Sequence, residues 1–121
     1  MSSEADTVKI SALAKFSSEH YTMIPLDISK GLVRLLFYDR QQSGRLHKHL
    51  TADEYFCILE GNGTITIGDG ERLVGAGNLV KVPSGIPHQW KSGPERLVML
   101  SVIVPTPSYQ LADEATKSTQ V

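Results

Sequence analysis

The chain is poor in cysteine. Cys57 is the only one among 121 residues, so no disulfide can form within the chain. Because Cys57 stands in an apolar run, we expect a small buried side chain rather than a catalytic thiol, since apolar surroundings raise the pKa of a thiol. A closed structural zinc site, which usually draws on several cysteines, is also disfavoured.

The sequence also lacks an excess of charge of one sign and any long apolar run. Twelve basic and 13 acidic residues give a formal net charge of -1. No basic patch is present for nucleic acid or an anionic membrane, so neither partner is expected. No apolar run is long enough for a membrane span, and the N-terminal stretch MSSEADTVKI lacks the layout of a signal peptide. We therefore expect a cytoplasmic protein.

Helical sequence is scarce. Residues 10–18, ISALAKFSS, form the only stretch that predicts a helix, and it is too short to build a helical core. Short β-type runs separated by glycine and proline follow from residue 24 onward. They cover residues 31–38, 54–60, 63–68, 72–75, 78–83, 88–92 and 96–104. Asp69-Gly70 is a hairpin signal between two of them. This pattern predicts an all-β sandwich or barrel.

The predicted organisation is one domain with two flanking segments. An N-terminal segment with a short helix covers residues 1–23, the barrel covers residues 24–107, and a C-terminal tail covers residues 108–121. The tail is polar and carries no motif, so it is expected to be disordered or a short helix.

Three of the four histidines fall in two glycine- and proline-flanked stretches. In HKHLTADEYFCILEG, His47 and His49 are two residues apart, so an extended segment aims both imidazoles to one side, and Glu54 follows five residues later. His88 follows the turn PSGIP and could face this pair across an antiparallel barrel. His20 has no such neighbours and is expected at the surface. Two histidines and a carboxylate predict either a solvated polar edge or part of a metal site.

The two stretches resemble a known family. HKHLTADEYFCILEG follows H-x-H-x4-E-x6-G, and GNLVKVPSGIPHQWKS follows G-x5-P-x-G-x2-H-x3. These are similar to the two signature motifs of the cupins, small double-stranded β-helix (jelly-roll) barrels. The resemblance spans about residues 44–92 and implies that His47, His49, Glu54 and His88 hold one divalent metal inside the barrel.

The sequence departs from the family pattern at two positions. The glycine usually found six residues before the first histidine is replaced by Gln41, and the asparagine that often ends the second motif is replaced by Ser92. The first departure puts the turn before the motif in doubt, and the second puts a local hydrogen bond in doubt. The 15 residues between Gly61 and Gly77 leave room for one compact hairpin.

Three imidazoles and one carboxylate suit Fe, Mn, Ni, Zn or Cu rather than Ca or Mg. The family resemblance implies an enzyme that acts on a small organic molecule, with dioxygenase-like oxidation or isomerase, decarboxylase or lyase chemistry. The alternative is a non-catalytic sensor or storage module that binds a small molecule or a metal. The motifs do not choose between these functions.

Strand parity suggests which side chains line the pocket. Phe56 and Ile58 share the face of Glu54, and Trp90 shares the face of His88. These residues and Tyr38 are the pocket candidates, although Phe56 and Ile58 more often simply fill a small barrel. Arg34 is expected at a rim or edge, with an anion clamp as the less favoured alternative.

No dedicated general acid or base stands out near the motifs. Tyr38, Tyr55, Glu60 and Asp53 are candidates only, and Tyr55 and Asp53 should point away from Glu54. The runs at residues 31–38 and 96–104 are interpreted as edge strands that are long and apolar and would be prone to aggregation if left unpaired. The cupin resemblance implies a homodimer, with strands or the N-terminal segment at the interface.

Overall fold

The computed structural model describes residues 6–106 and consists almost entirely of antiparallel strands. The elements are α1 (Ile10–Leu13), β1 (Thr22–Asp27), β2 (Leu32–Tyr38), β3 (Asp53–Glu60), β4 (Asn62–Ile67), β5 (Gly70–Gly75), β6 (Leu79–Val82), β7 (His88–Ser92) and β8 (Leu97–Val104). The predicted all-β fold and every predicted strand are present. The predicted tail at residues 108–121 lies outside the described residues.

Two sheets enclose the interior. The larger has the strand order β1-β2-β8-β3-β6, and the smaller has the order β5-β4-β7. Apolar side chains from both sheets form one buried cluster between them: Leu36, Tyr38, Phe56, Ile58, Ile65, Val80, Val82, Trp90, Leu97 and Met99. This is the jelly-roll arrangement, in which alternate residues of each strand face inward.

Strand β3 shows how sequence alternation produces this arrangement. Glu54, Phe56 and Ile58 are buried, whereas Tyr55 and Cys57 between them are only partly buried. Cys57 was expected to be a small buried side chain, but it is only partly buried. Its side chain projects to the outer face of the sheet because it has the opposite parity to Glu54.

The long apolar strands β2 and β8 are interior strands. β8 pairs with both β2 and β3, and β2 pairs with both β1 and β8. The expectation that these runs lie at sheet edges is therefore wrong. They are apolar on both faces because one face lines the barrel, while Ile10, Leu13 and Phe16 from the N-terminal segment pack on the other.

The N-terminal region differs most from the sequence prediction. The helix ends at Leu13 instead of residue 18, and β1 is a strand that the predicted runs did not include. β1 begins at Thr22, two residues before the predicted start of the barrel. It pairs with β2 along its whole length, with one irregularity between Pro25 and Asp27, so it belongs to the large sheet.

The hairpin between β4 and β5 is present with a one-residue shift. Ile67 pairs with Gly70, so the two-residue loop is Gly68-Asp69 rather than Asp69-Gly70. Gly68 has a φ of 57°, a left-handed conformation that glycine adopts without steric cost. This hairpin forms the connection along the chain between the two histidine-bearing motifs, as the short spacing from Gly61 to Gly77 predicts.

Candidate metal centre

The two histidine-bearing segments lie side by side in the structure. The backbone N–H of His47 donates to the carbonyl of His88 at 3.1 Å, and the N–H of His88 donates back to His47 at 2.8 Å. The N–H of Gly85 also donates to the carbonyl of His49. These bonds hold the first segment against the start of β7, so His88 lies directly beside the pair and not across the barrel from it.

Three imidazoles and one carboxylate converge at this junction. One potential ligand atom from each of His47, His49, Glu54 and His88 lies within 4.8 Å of the other three. The ring centroids of His47 and His88 are 4.4 Å apart, and those of His47 and His49 are 5.1 Å apart. His20, by contrast, is exposed, as expected.

The carboxylate of Glu54 is fully buried and makes four polar contacts. Its Oε1 lies 2.9 Å from His49 Nε2 and 3.1 Å from His88 Nε2. Its Oε2 accepts hydrogen bonds from Arg34 Nη2 at 3.2 Å and from the hydroxyl of Ser101. One oxygen therefore faces the histidines, and the other is held from the opposite side.

Backbone contacts orient two of the imidazoles. Nδ1 of His47 lies 2.9 Å from the carbonyl of Arg45, and Nδ1 of His88 lies 3.0 Å from the carbonyl of Ile86. A carbonyl can only accept, so each Nδ1 carries the proton and the Nε2 of the neutral ring presents a lone pair. Metal-binding histidines are commonly oriented in this way.

The donor set fits a bound cation. The lone pair of His88 Nε2 faces an oxygen of the Glu54 carboxylate, so either a proton or a cation must lie between these two acceptors. Ligands on adjacent positions of a first-row divalent ion stand about 3 Å apart when the bonds are about 2.1 Å long. The four donor atoms lie within 4.8 Å of one another, so the cluster could hold a metal ion after small side-chain movements.

The pKa values of two members keep them in ligand form. Burial, followed by the electrostatic influence of His88, lowers the pKa of His47 to about 4, so its ring is neutral near pH 7. Burial alone would raise the pKa of Glu54, but the polar contacts with His49 and His88 and the charge of Arg34 outweigh it. The pKa of Glu54 therefore lies well below its usual range, and the carboxylate stays ionised.

Aromatic side chains form the wall beneath the cluster. The ring of Phe56 meets that of His88 edge-on at a centroid distance of 6.0 Å and that of Trp90 at 5.2 Å. Ile58 and Tyr38 lie in the same buried cluster. Trp90 Nε1 is buried without a hydrogen-bond partner among residues 6–106. Phe56 and Ile58 fill the barrel, as expected, and Phe56 also supports His88.

The four acid–base candidates do not converge on the site. Burial, and then the neighbouring Tyr21, raise the pKa of Tyr38 far above its usual value. Asp53 accepts a hydrogen bond from the N–H of Ser84, Tyr55 lies beneath the Lys81 ammonium, and Glu60 is exposed. Asp53 and Tyr55 point away from Glu54, as their parity predicts.

Arg34 and Ser101 are the functional neighbours that sequence reasoning misplaced or missed. Arg34 lies in the interior strand β2 with its side chain only 14% exposed, so the rim or edge prediction is wrong. Ser101 was not singled out. Strand parity places Arg34 on the inner face with Tyr38, and a lone serine in the apolar run LVMLSVIV was a signal for a buried polar contact.

Ser92 replaces the usual asparagine without loss of the local bonds. Its hydroxyl donates to the carbonyl of Asp39 at 2.6 Å and accepts from the N–H of Gln42 at 2.9 Å. These bonds tie the turn before the first motif to the end of β7. The doubt about this hydrogen bond is thereby resolved.

A cavity of about 440 Å³ lies on the outer face of the large sheet next to α1. Its wall includes Phe16, Phe37 and Val98, together with the charged side chains of Glu60 and Arg96. No histidine lines it. It is separated from the four converging donors by the sheet itself.

Residues 35–103, more than half of the chain, match the family described as the cupin domain. The protein is a cupin. The matched region contains the four converging side chains and excludes α1 and β1. No helix among the described residues of this cupin is long and apolar enough to cross a membrane.

Solved structures share the cupin fold over most of the chain. The TT1209 protein of Thermus thermophilus is 25% identical, with a TM-score of 0.79, over 84% of this chain and 98% of that one. A conserved double-stranded β-helix protein from Klebsiella pneumoniae is 19% identical, with a TM-score of 0.79, over 85% and 92%. The latter likeness concerns the fold alone.

Two further relatives bear on function to different degrees. A predicted oxalate decarboxylase from Thermotoga maritima is 27% identical, with a TM-score of 0.66, over 70% of this cupin and 80% of that chain. The uncharacterized protein MJ1618 of Methanocaldococcus jannaschii is 39% identical over 44 residues, 36% of this chain. That match spans only 35% of the curated relative's length.

Proposed function

We propose that this cupin is a metal-dependent enzyme acting on a small organic molecule. The observation that carries the proposal is the convergence of three imidazoles and one ionised carboxylate beside an aromatic wall. His47, His49, Glu54 and His88 would hold the metal. This donor set suits Fe, Mn, Ni, Zn or Cu. When bound, such an ion would supply Lewis acidity or a redox centre.

The chain's own residues would bind and orient the substrate. Arg34 and Ser101 fix one oxygen of Glu54, and Phe56 and Trp90 provide a water-poor wall that suits a planar or partly apolar molecule. The four acid–base candidates, Tyr38, Asp53, Tyr55 and Glu60, do not converge on the donors. This favours reactions that need no separate protein base, and dioxygenase-like oxidation and isomerase or lyase chemistry remain the proposed classes.

The comparisons support the lyase class through one relative. The T. maritima protein is described as a predicted oxalate decarboxylase, and decarboxylation is a lyase reaction. The lack of a convergent acid–base pair among the described residues is equally compatible with the second candidate, a non-catalytic module that binds a small molecule or a metal. We also propose a cytoplasmic homodimer.

The metal assignment is tested by removing one donor. His88→Ala should lose most of the bound metal while the fold survives, because a buried nitrogen donor is deleted from a four-donor set. His20→Ala is the matched control, since His20 is exposed and outside the cluster. Elemental analysis of both purified variants gives the metal content, and circular dichroism gives the fold. Full metal retention in His88→Ala would contradict the assignment.

The reaction class is tested by metal content together with turnover. Iron, nickel or copper, with oxygen uptake that depends on a catechol or diketone substrate, would support dioxygenase chemistry. Zinc or manganese, with anaerobic turnover of sugar or keto-acid substrates, would support isomerase or lyase chemistry. Tight ligand binding without turnover under every metal would instead support the binding module.

A further inference from the structure

Arg34 places a guanidinium directly behind the donor cluster. Its Nη2 donates to Glu54 Oε2 at 3.2 Å, and the other oxygen of the same carboxylate faces His49 and His88. Arg34 lies near the middle of β2, opposite Ser101 of β8 and Pro25 of β1. It is therefore part of the barrel wall and is held on both sides by sheet pairing.

Most of the donor capacity of this guanidinium is not used by strong acceptors. Nη1 lies against Met23 Sδ, and a thioether sulfur is a weak acceptor. Nε is 3.5 Å from the Ser101 hydroxyl, at the limit of a hydrogen bond. Within residues 6–106, Glu54 is the single charged partner of Arg34. A planar fork of this kind is suited to a second carboxylate.

An exposed sheet edge lies beside Arg34, because its neighbour β1 is the edge strand of the large sheet. Met23 pairs with Leu36 and Pro25 pairs with Arg34, so all four side chains point to the inner face of the sheet. Met23 is nevertheless 46% exposed, whereas Leu36 is 3% exposed. Arg34 contacts both the exposed Met23 and the buried Glu54, so it lies between the sheet edge and the donor cluster.

The charge at the site favours an anion once a divalent ion is present. The charges of Glu54 and Arg34 cancel, and imidazoles that ligate an ion are neutral, so a divalent ion would leave a net charge of +2 within the barrel. Asp53 cannot offset it, because its carboxylate points outward to the N–H of Ser84. An uncompensated buried charge is costly. This step rests on the proposed function, because it requires the metal.

We propose that Arg34 is the residue that selects a small carboxylate as the ligand of this cupin. The guanidinium donates to the carboxylate of the incoming molecule while it keeps its bond to Glu54. The apolar edge of that molecule lies toward Phe56 and Trp90. Arg34 is thus a specificity-determining residue whose removal affects carboxylates more than neutral molecules of the same shape.

The test compares pyruvate, a small planar carboxylate, with its neutral isostere pyruvamide. Each protein is first titrated with Mn²⁺, and both probes are then titrated at saturating Mn²⁺ by calorimetry. Arg34→Gln removes the charge, and Arg34→Lys keeps the charge without the planar fork. Ser101→Ala is the matched control, because it deletes the other hydrogen bond to the same oxygen of Glu54 and leaves the guanidinium in place.

The proposal expects a selective loss. Arg34→Gln should weaken pyruvate binding by about 10- to 100-fold, the range for a charge-assisted hydrogen bond, and pyruvamide binding by less than about threefold. Arg34→Lys should recover part of the pyruvate affinity. Ser101→Ala should weaken Mn²⁺ binding but keep the ratio between the two probes.

Several results would overturn this inference. The first is that the wild type with Mn²⁺ does not bind pyruvate. The second is that Arg34→Gln loses equal affinity for both probes, and the third is that inorganic phosphate binds more tightly than pyruvate. In all three, intact Mn²⁺ binding would leave the metal assignment standing. A wild type that binds no Mn²⁺ or other divalent transition ion would instead contradict the proposed function and this inference together.

Discussion

Gln41 adopts a backbone conformation that few side chains tolerate. Its φ is 55°, the one positive value outside glycine among residues 6–106, and its side chain is exposed. The backbone N–H of Gln41 donates to the carbonyl of Gly93 at 2.9 Å, so the turn is held in place. A residue with a Cβ loses free energy in this region of φ/ψ space. This is the position that the family usually gives to glycine.

Gln41→Gly should therefore stabilise the protein. The free energy recovered by relieving the left-handed strain exceeds the free energy lost because glycine makes the unfolded chain more flexible. The net gain is about 0.5–1 kcal/mol. Urea unfolding of the metal-free protein measures the change. Arg40→Gly, at the neighbouring exposed position without a positive φ, is the control and should lose about 0.5–1 kcal/mol. Equal losses in both variants would show that Gln41 is not strained.

Residue spacing predicted the four donor residues better than it predicted the residues around them. His47, His49 and Glu54 are fixed by local spacing, and His88 by a second motif, so the sequence alone indicates all four. Arg34 and Ser101 reach Glu54 across strand pairs, from 20 and 47 positions away in the sequence. Contacts of this kind depend on which strands are neighbours, and strand order is not written in any local pattern.

At the scale of elements, the N-terminal segment acts as a cover for the large sheet. The ring of Phe16 meets that of Phe37 edge-on at 5.5 Å, and the Arg96 guanidinium lies 4.1 Å from the centre of the Phe16 ring. Ile10 and Leu13 pack on the same outer face. This segment lies outside the matched cupin region, yet it buries apolar surface of two central strands.

Phe16→Ala should lower the free energy of unfolding by about 2 kcal/mol, because it removes a partly buried ring and its two aromatic contacts. Metal content should not change, since the large sheet separates Phe16 from the donor cluster. Val8→Ala, at a residue that is 45% exposed, is the control and should lose less than about 0.5 kcal/mol. If the midpoint of urea unfolding is the same for Phe16→Ala as for the wild type, the segment is only loosely attached.

The errors at this scale have a common physical cause. The helix prediction for residues 10–18 followed local periodicity, but the short helix ends at Leu13 and the chain then extends over the sheet. The apolar runs of β2 and β8 were assigned to sheet edges, but their composition does not reveal what covers them. A strand covered by a partner chain and a strand covered by the N-terminal segment of the same chain are equally apolar. Tertiary packing decides both cases.

At the scale of the whole molecule, apolar surface remains exposed on the outer face of the large sheet. Leu79 pairs with Cys57, which pairs in turn with Leu100, so the three side chains share that face. Leu79 is 69% exposed and lies on the edge strand β6. An apolar group of this kind is suited to a partner surface. Leu79 therefore gives a structural reason to expect the homodimer that the resemblance implies.

Light scattering at micromolar concentration should therefore give the mass of a homodimer, twice the chain mass of 13.3 kDa. Leu79→Glu should shift the mass toward the monomer, because a charge buried at an apolar interface is costly. Leu73→Glu, at a residue that is 80% exposed on the small sheet, is the control and should leave the mass unchanged. A wild-type monomer would refute the proposed homodimer.

The proposed metal centre is a single coordination site, and anomalous diffraction tests its presence most directly. Crystals of the protein as purified, measured at the absorption edge of the metal found by elemental analysis, should give one dominant anomalous peak. The account predicts that peak at about 2.0–2.3 Å from the donor atoms of His47, His49, Glu54 and His88. No peak among these four side chains, or a dominant peak elsewhere in the molecule, would contradict it.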